Sequence, residues 1–197
     1  MRRGVLGGTF NPIHNGHLRL AVEALEQLSL NEVVLEVAVA SPFKTEEQSA
    51  DAALRFEMVC AAVESTPGLR AGRTDLDRGP PSYTVVTLAA HSAGDRELWF
   101  ILGSDSLRSF PNWRDPDGIV RLARLAAGER PGCKRGEALD LLRTEWRDRV
   151  DWFEMPLLDV SSSAVRRRVA DGRCIRHLTP ESVVRMIERE RLYRGGP

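Results

Sequence analysis

The sequence has little lysine and no net charge. Of its 28 basic residues only Lys44 and Lys134 are lysines, and the basic residues are balanced by 28 acidic ones. A protein that coats DNA or RNA needs a basic surface to displace counterions from phosphates, and a protein held electrostatically on a membrane needs one as well. The charge balance therefore argues against both classes, and we expect neither a nucleic-acid nor a membrane partner.

Cysteine and long apolar runs are also scarce. The three cysteines, Cys60, Cys133 and Cys174, lie far apart with no C-x-x-C pair, which argues against a disulfide framework or a zinc knuckle and is typical of reduced thiols. The longest fully apolar run, residues 58–63, is too short to cross a bilayer. No apolar segment follows the opening Met-Arg-Arg, so the sequence predicts a cytoplasmic location without a signal peptide.

The length and the charge distribution add two expectations. A chain of 197 residues is large enough for a buried core and predicts one domain over residues 1–197. Residues 161–197 contain nine arginines against four acids. This local excess is compatible with a small anionic ligand.

Apolar runs alternate with segments whose apolar residues recur every three or four positions. The predicted strands are 3–6, 33–40, 69–76, 98–102, a short one near Leu125, and 150–154; the predicted helices are 17–28, 49–64, 82–92, 118–123, one through Trp146, 162–170 and 180–191. Such alternation indicates a doubly wound, mostly parallel, Rossmann-like α/β sheet with helices on both faces.

Polar signatures follow three of the predicted strands. They are Gly7-Gly8-Thr9, residues 41–44 and residues 103–105. Open α/β sheets bind ligands at the carboxyl ends of their strands, near the point where the strand order reverses. We therefore expect these three segments to contribute to one site.

The most informative segment is residues 7–17, Gly-Gly-Thr-Phe-Asn-Pro-Ile-His-Asn-Gly-His. It has neither the Lys-Ser/Thr ending of a P-loop nor the spacing of a dinucleotide-binding fingerprint. Its glycines permit close approach of the backbone to an anion, and a helix that begins at His17 favours phosphate. In the alternative interpretation, the glycines only allow the chain to turn and the histidines only cap or pack. That interpretation would suffice for a lone Gly-Gly or a lone histidine, but it accounts poorly for the whole eleven-residue segment.

This segment resembles the G-G-x-F-x-P-x-H-x-G-H signature of the nucleotidylyltransferase superfamily, whose histidines contact nucleotide phosphates. Residues 160–166, Val-Ser-Ser-Ser-Ala-Val-Arg, look like the second signature, I-S-S-T-x-I-R, and place it on the C-terminal helices. Residues 79–84, residues 100–113 and residues 178–193 further resemble the bacterial nicotinate mononucleotide adenylyltransferases. The resemblance covers nearly the whole chain.

The resemblance implies that ATP and nicotinate mononucleotide are joined into deamido-NAD with release of pyrophosphate, a step of NAD biosynthesis. The implied catalytic residues are His14, His17, Lys44 and Arg166. The implied ATP-binding residues are Gly7, Gly8, Thr9, Phe10, Gly103, Asp105, Ser162 and Ser163. Tyr83, Thr84 and Trp113 are implied to bind the pyridine mononucleotide. Mg²⁺ would arrive with ATP, without a direct protein ligand, and a homo-oligomer is compatible with the sequence.

Three positions depart from the usual residues of this branch. Asn11 and Val86 stand where Asp is common, and Phe43 stands where His is common. Two alternatives stay open: the same superfamily with another phosphorylated acceptor, such as nicotinamide mononucleotide or phosphopantetheine, and a nucleotide-sensing module without catalysis. His91 and His177 lie outside the motifs and are interpreted as structural or surface residues.

Overall fold

A computed structural model describes residues 1–39, 50–129 and 135–194 of the chain, and a six-stranded sheet forms its centre. The strands are β1 (Arg2–Gly8), β2 (Glu32–Val37), β3 (Leu69–Gly72), β4 (Glu97–Gly103), β5 (Arg124–Glu129) and β6 (Val150–Glu154). Their order is β3-β2-β1-β4-β5-β6, and every neighbouring pair is parallel.

Helices cover both faces of this sheet. They are α1 (Asn15–Gln27), α2 (Ala52–Val63), α3 (Thr74–Arg78), α4 (Thr84–His91), α5 (Ser104–Ser109), α6 (Pro116–Leu122), α7 (Arg135–Asp140), α8 (Thr144–Arg147), α9 (Ser162–Ala170) and α10 (Glu181–Arg189). Within the ranges described, none of these helices is both long and apolar enough to cross a membrane.

The core consists of two layers, one on each face of the sheet. Side chains alternate along a strand, and β4 shows this: Ile101 packs with the layer that contains residues of α1, α2, α9 and α10, whereas Phe100 and Leu102 pack with the layer that contains residues of α4 to α8. A parallel sheet that is apolar on both faces requires helices on both sides. The predicted doubly wound α/β fold is thereby confirmed, with all described strand pairs parallel.

Most predicted elements are present, one was wrong in part, and one is divided into two. Residues 69–76 do not form one strand: β3 ends at Gly72 and residues 74–78 are helical. The cause is Glu36 of β2, whose carboxylate accepts hydrogen bonds from the backbone N–H and the hydroxyl of Thr74 and so turns the chain there. The helix through Trp146 is two short helices, α7 and α8.

Other helix boundaries differ by a few residues from those predicted. Helix α1 begins at Asn15 because His14 occupies the N-cap, and α2 begins after Asp51; the predicted cap Ser49 lies outside the described residues. The short helix α5, directly after β4, was not predicted.

The strand order reverses between β1 and β4. The chain runs from β1 outward to β2 and β3, then returns to place β4 on the other side of β1. Connections that leave the carboxyl ends of β1 and β4 in opposite directions open a crevice between them. Gly7-Gly8, at the end of β1, and Gly103, at the end of β4, border this crevice.

Candidate functional site

A cleft of about 650 Å³ lies at the carboxyl ends of the central strands. Its lining comes from loops and helix ends on both sides of the crevice: Gly7, Gly8, Thr9, Glu36, Ala38, Asp75, Ser82, Thr84, Thr87, Phe100, Ser106, Ser109, Asn112 and Trp113. Two separate sequence motifs, the glycine segment after β1 and the predicted pyridine-binding residues Thr84 and Trp113, thus face one space.

Trp113 is the aromatic wall of this cleft. It follows a 3₁₀ turn at residues 110–112, and its indole Nε1 donates to Ser109 Oγ at 3.2 Å. The Phe100 ring meets it edge to face, with 5.7 Å between ring centroids. These contacts fix the indole plane. Tyr83 does not line the cleft; it caps α4, and the Arg114 guanidinium lies 5.6 Å from its ring centroid.

Two buried carboxylates that sequence reasoning missed form part of the cleft wall. Glu36 is 1% exposed, and besides Thr74 it contacts His91 Nε2 at 2.7 Å, which gives His91 a structural position. Asp75 accepts from the Thr87 hydroxyl at 2.6 Å. Together these contacts hold α3 and α4 against β2. The sequence signal for Glu36 is an acid inside the apolar run Val-Val-Leu-Glu-Val.

The start of α1 brings the two histidines of the first motif together. The rings of His14 and His17 stack with 3.7 Å between centroids, and the backbone N–H of His14 donates to His17 Nδ1 at 3.3 Å. A neutral His17 ring that accepts at Nδ1 carries its proton on Nε2, which is then a donor. The buried Phe10 ring contacts His17 edge to face at 5.0 Å.

Only glycine fits at position 16, the glycine of the H-x-G-H sequence, without displacing neighbouring side chains, because these leave little room for a Cβ atom. A Cβ on Gly16 would lie 3.1 Å from the His14 ring and 3.0 Å from the Val160 side chain. Both distances are tighter than ordinary van der Waals contact. Glycine therefore lets the segment that leads into α9 approach the start of α1.

The second sequence motif meets the first at this point. Arg166 of α9 donates through Nη1 to the carbonyl of Asn11 at 2.7 Å and through Nη2 to Ser163 Oγ at 3.3 Å. The Ser162 hydroxyl donates to the carbonyl of Pro12 at 2.9 Å. We call this contact region, formed by residues 10–17 and 161–166, the α1–α9 junction.

Asn11 is the central residue of the junction. Its side-chain Oδ1 accepts from the backbone N–H of Ala50 at 3.1 Å and from the Tyr193 hydroxyl at 2.7 Å. Burial raises the pKa of the Tyr193 hydroxyl, and the positive charges of Arg166 and Arg55 offset part of that rise. The hydroxyl therefore stays protonated, and able to donate, far above neutral pH. Through its side-chain amide and its backbone carbonyl, which accepts from Arg166, Asn11 links four segments of the chain.

Among the described residues, the remaining predicted site residues lie elsewhere. Gly103 caps α5 and Asp105 lies exposed in its first turn; neither lines the cleft, whereas Ser106 and Ser109 of the same helix do. Lys44 lies outside the described residues.

The structure describes two of the three residues that differ from those usual in the nicotinate mononucleotide adenylyltransferases. Val86 is 40% exposed and is not part of the cleft wall, so the residue at this position does not shape the cleft. Asn11 occupies the junction as described above. Phe43 lies outside the described residues.

The comparison with known families adds to this geometry. The family model described as cytidylyltransferase-like matches residues 5–168, which include both motifs, the cleft and the junction up to Arg166. The chain belongs to the cytidylyltransferase-like family.

Curated proteins are similar along nearly the whole chain. A probable nicotinate-nucleotide adenylyltransferase of Roseiflexus sp. (strain RS-1) is 40% identical, and the alignment covers 97% of each chain. One of Bordetella avium (strain 197N) is also 40% identical, with 98% of each chain covered. Within the cytidylyltransferase-like family, the chain therefore groups with the nicotinate-nucleotide adenylyltransferases.

Solved structures support the same fold at lower sequence identity. Nicotinic acid mononucleotide adenylyltransferase of Plasmodium falciparum, complexed with NaAD, has a TM-score of 0.78 at 16% identity, and the match covers 98% of this chain and 97% of that one. The same enzyme complexed with APC has a TM-score of 0.75 at 16% identity, with 98% and 96% covered. Both matches therefore cover nearly the whole chain.

Proposed function

We propose that this member of the cytidylyltransferase-like family joins ATP to nicotinate mononucleotide, giving nicotinate adenine dinucleotide and pyrophosphate. One observation carries the proposal: Gly7, Gly8 and Thr9 line the cleft together with Thr84 and Trp113. The same chain segment then continues into the junction, where the carbonyl of Asn11 accepts from Arg166. One chain segment thus borders both a space for a flat ring and a cluster of donors suited to phosphates. Near-full-length similarity to nicotinate-nucleotide adenylyltransferases supports the same reaction.

The chemistry needs positioning and charge stabilisation. A phosphate oxygen of nicotinate mononucleotide, already anionic at neutral pH, attacks the α-phosphorus of ATP. A new P–O bond forms as the bond from the α-phosphorus to the bridging oxygen breaks, and the electron pair leaves with pyrophosphate. Because the nucleophile needs no deprotonation, a general base is not required; orientation and neutralisation of the departing charge limit the rate.

The junction residues suit the ATP side of this reaction. His17 donates from Nε2 to phosphate oxygens, and the stacked His14 ring fixes its plane. Arg166 presents a planar fork that matches phosphate geometry, and Ser162 and Ser163 place the start of α9 beside it. Lys44 adds a compact charge on the phosphates.

The remaining ATP contacts in the proposal come from the strand ends. Gly7, Gly8 and Thr9 let the backbone approach the nucleotide, while buried Phe10 supports His17. Gly103 and Asp105 lie at the end of β4, where an exposed carboxylate is suited to accept from a ribose hydroxyl.

The cleft suits the acceptor. The Trp113 indole stacks on the pyridine ring, and the ring carboxylate lies at the start of α4, where Thr84 and the positive end of the helix dipole favour an anion. Tyr83 acts indirectly in this arrangement: it occupies the N-cap position of α4, where its backbone carbonyl accepts from the N–H groups of Val86 and Thr87.

Magnesium fits this site as a companion of ATP. In the proposed reaction phosphate oxygens and water supply most of its ligands. When bound, the ion neutralises charge on the phosphates. The protein's own contribution is to orient the triphosphate through His17 and Arg166.

The deciding experiment is an acceptor panel. Purified protein with Mg²⁺-ATP is given nicotinate mononucleotide, nicotinamide mononucleotide or 4′-phosphopantetheine, and pyrophosphate release is followed. We expect kcat/KM for the nicotinate form to exceed that for the nicotinamide form at least about tenfold, because one charge-assisted contact is worth about that factor. A preference for 4′-phosphopantetheine would show that phosphopantetheine, and not nicotinate mononucleotide, is the acceptor. ATP binding without turnover on any acceptor would indicate a nucleotide sensor.

Replacing Trp113 with alanine tests the acceptor side separately. Loss of ring stacking raises KM for nicotinate mononucleotide about tenfold and leaves KM for ATP within about twofold, because the junction is untouched. Trp113→Phe, which keeps an aromatic face, recovers most of the loss. An equal rise in both KM values, measured by steady-state kinetics, would contradict the placement of the acceptor in this cleft.

A further inference from the structure

Arg55 of α2 is a fully buried arginine that hydrogen-bonds to backbone carbonyls, with 1% of its surface exposed. Its Nε donates to the carbonyl of Ala50 at 3.0 Å. Nη1 donates to the carbonyls of Thr9 and Ala38 at 2.5 and 2.7 Å, and Nη2 to that of Val39 at 2.9 Å. One guanidinium therefore joins three segments: the loop after β1, the loop after β2 and the chain before α2.

Two of these carbonyls belong to the cleft wall. Thr9 and Ala38 both line the cleft, and the backbone N–H of Val39 donates to the hydroxyl of Ser82, which lines the cleft as well. A planar guanidinium donates along fixed directions and loses little freedom when it binds several acceptors. Arg55 therefore sets the spacing of the loops after β1 and β2.

A continuous chain of hydrogen bonds also connects Arg55 to the junction. Ala50 accepts from Arg55 through its carbonyl and donates through its N–H to Asn11 Oδ1. The carbonyl of Asn11 in turn accepts from Arg166. A shift of Ala50 would therefore move Asn11 and, with it, the backbone atom that holds the Arg166 guanidinium.

We propose that Arg55 is a positioning residue for adenylyl transfer. It contacts neither substrate; it aligns the Thr9 and Ala38 wall with the Asn11–Arg166 contact, so that the acceptor phosphate and the α-phosphorus meet at reacting distance. The proposal deepens the proposed function and rests on it. A buried charge is a costly way to stabilise a fold, and apolar replacements of buried ionic groups are often neutral or stabilising, so this arginine is better explained by geometry than by stability.

The test compares Arg55→Lys and Arg55→Gln with a matched arginine far from the site. Arg124 is the first residue of β5, so it lies at the amino ends of the strands, away from the cleft. Its guanidinium donates two hydrogen bonds to Asp151, and Arg124→Lys removes that two-pronged contact. We expect Arg55→Lys to lower kcat about 10- to 30-fold at a temperature well below its Tm, because sub-ångström misplacement of reactants is costly. Arg124→Lys should lower Tm while kcat and both KM values change less than about twofold.

The outcomes separate the two proposals. Wild-type protein that releases no pyrophosphate with nicotinate mononucleotide contradicts the proposed function. Active wild type together with an Arg55→Lys variant that melts earlier but keeps kcat and both KM values contradicts the positioning role alone. Failure of both Arg55 variants to fold assigns Arg55 to folding and overturns the positioning role too. Titration calorimetry with Mg²⁺-ATP gives a second readout, in which we expect weaker binding by Arg55→Gln than by Arg124→Lys.

Discussion

Replacing His17 with glutamine lowers kcat about 10³-fold and leaves the Tm within a few degrees of wild type. Removal of one preorganised donor from a developing charge costs about 10² to 10³ in rate, and the stacked pair of His14 and His17 places such a donor at the start of α1. Glutamine is the informative choice because of where His17 lies in the helix.

His17 is the third residue of α1, and its ring accepts from the backbone of the N-cap residue His14. Glutamine at this position can make the same reciprocal contact, since Glu and Gln are the usual residues there in a capping box. The variant thus removes the imidazole and keeps the helix start. Circular dichroism and thermal melts check the fold, and single-turnover kinetics measure the chemical step.

Arg19→Gln is the matched control for this variant. Arg19 lies two residues further along α1, is exposed and pairs with Glu23, so its loss should change kcat less than about twofold. If His17→Gln kept kcat within tenfold of wild type, the reacting phosphates would have to lie away from the α1–α9 junction.

Replacing Arg166 with methionine lowers kcat/KM for ATP by about 10²-fold. In the proposed reaction this guanidinium neutralises the departing pyrophosphate, and its contact with the Asn11 carbonyl already holds it beside the loop. Methionine keeps an unbranched side chain that matches the apolar stem of arginine, without the charge. Arg166→Lys should recover part of the loss, because lysine supplies the charge but not the two-pronged donor geometry.

The same helix offers the control. Arg167 follows Arg166 directly and is exposed, since successive residues on a helix point about 100° apart. Arg167→Met removes the same charge from the chain and should change kcat/KM less than about twofold. Equal losses in the two variants would mean that the charge of the helix as a whole matters, and that Arg166 has no specific contact with ATP.

The fold was predictable because its signals are local. Strands buried on both faces appear as short apolar runs, and helices as three- and four-residue spacings, so the order of elements follows from the sequence. The boundary at Gly72 was not predictable, because it depends on Glu36, which is far away in the chain and adjacent in the sheet. Propensity favours a strand there, and a tertiary hydrogen bond ends it.

The two motifs were identifiable from the sequence by resemblance, but their meeting was not. Ser162 and Pro12 are 150 positions apart, and no pattern in either segment specifies the partner of the other. Arg55 was missed because it looks like an ordinary charged residue on a predicted helix, and Asp75 because it falls near the end of a predicted strand. Their importance comes from what they contact. The roles of the site residues, the cytoplasmic location and the assembly state stay predictions.

The hydrogen bond between Asn11 and Tyr193 has a consequence for biosynthesis. It joins residues 182 positions apart, whereas the residues that line the cleft all precede residue 114. On the ribosome, the described residues that line the cleft therefore emerge well before the junction can close. Under the proposed function, a nascent chain passes through a stage in which the proposed acceptor cleft is present and the proposed triphosphate site is incomplete, and it gains activity only once residue 193 has emerged.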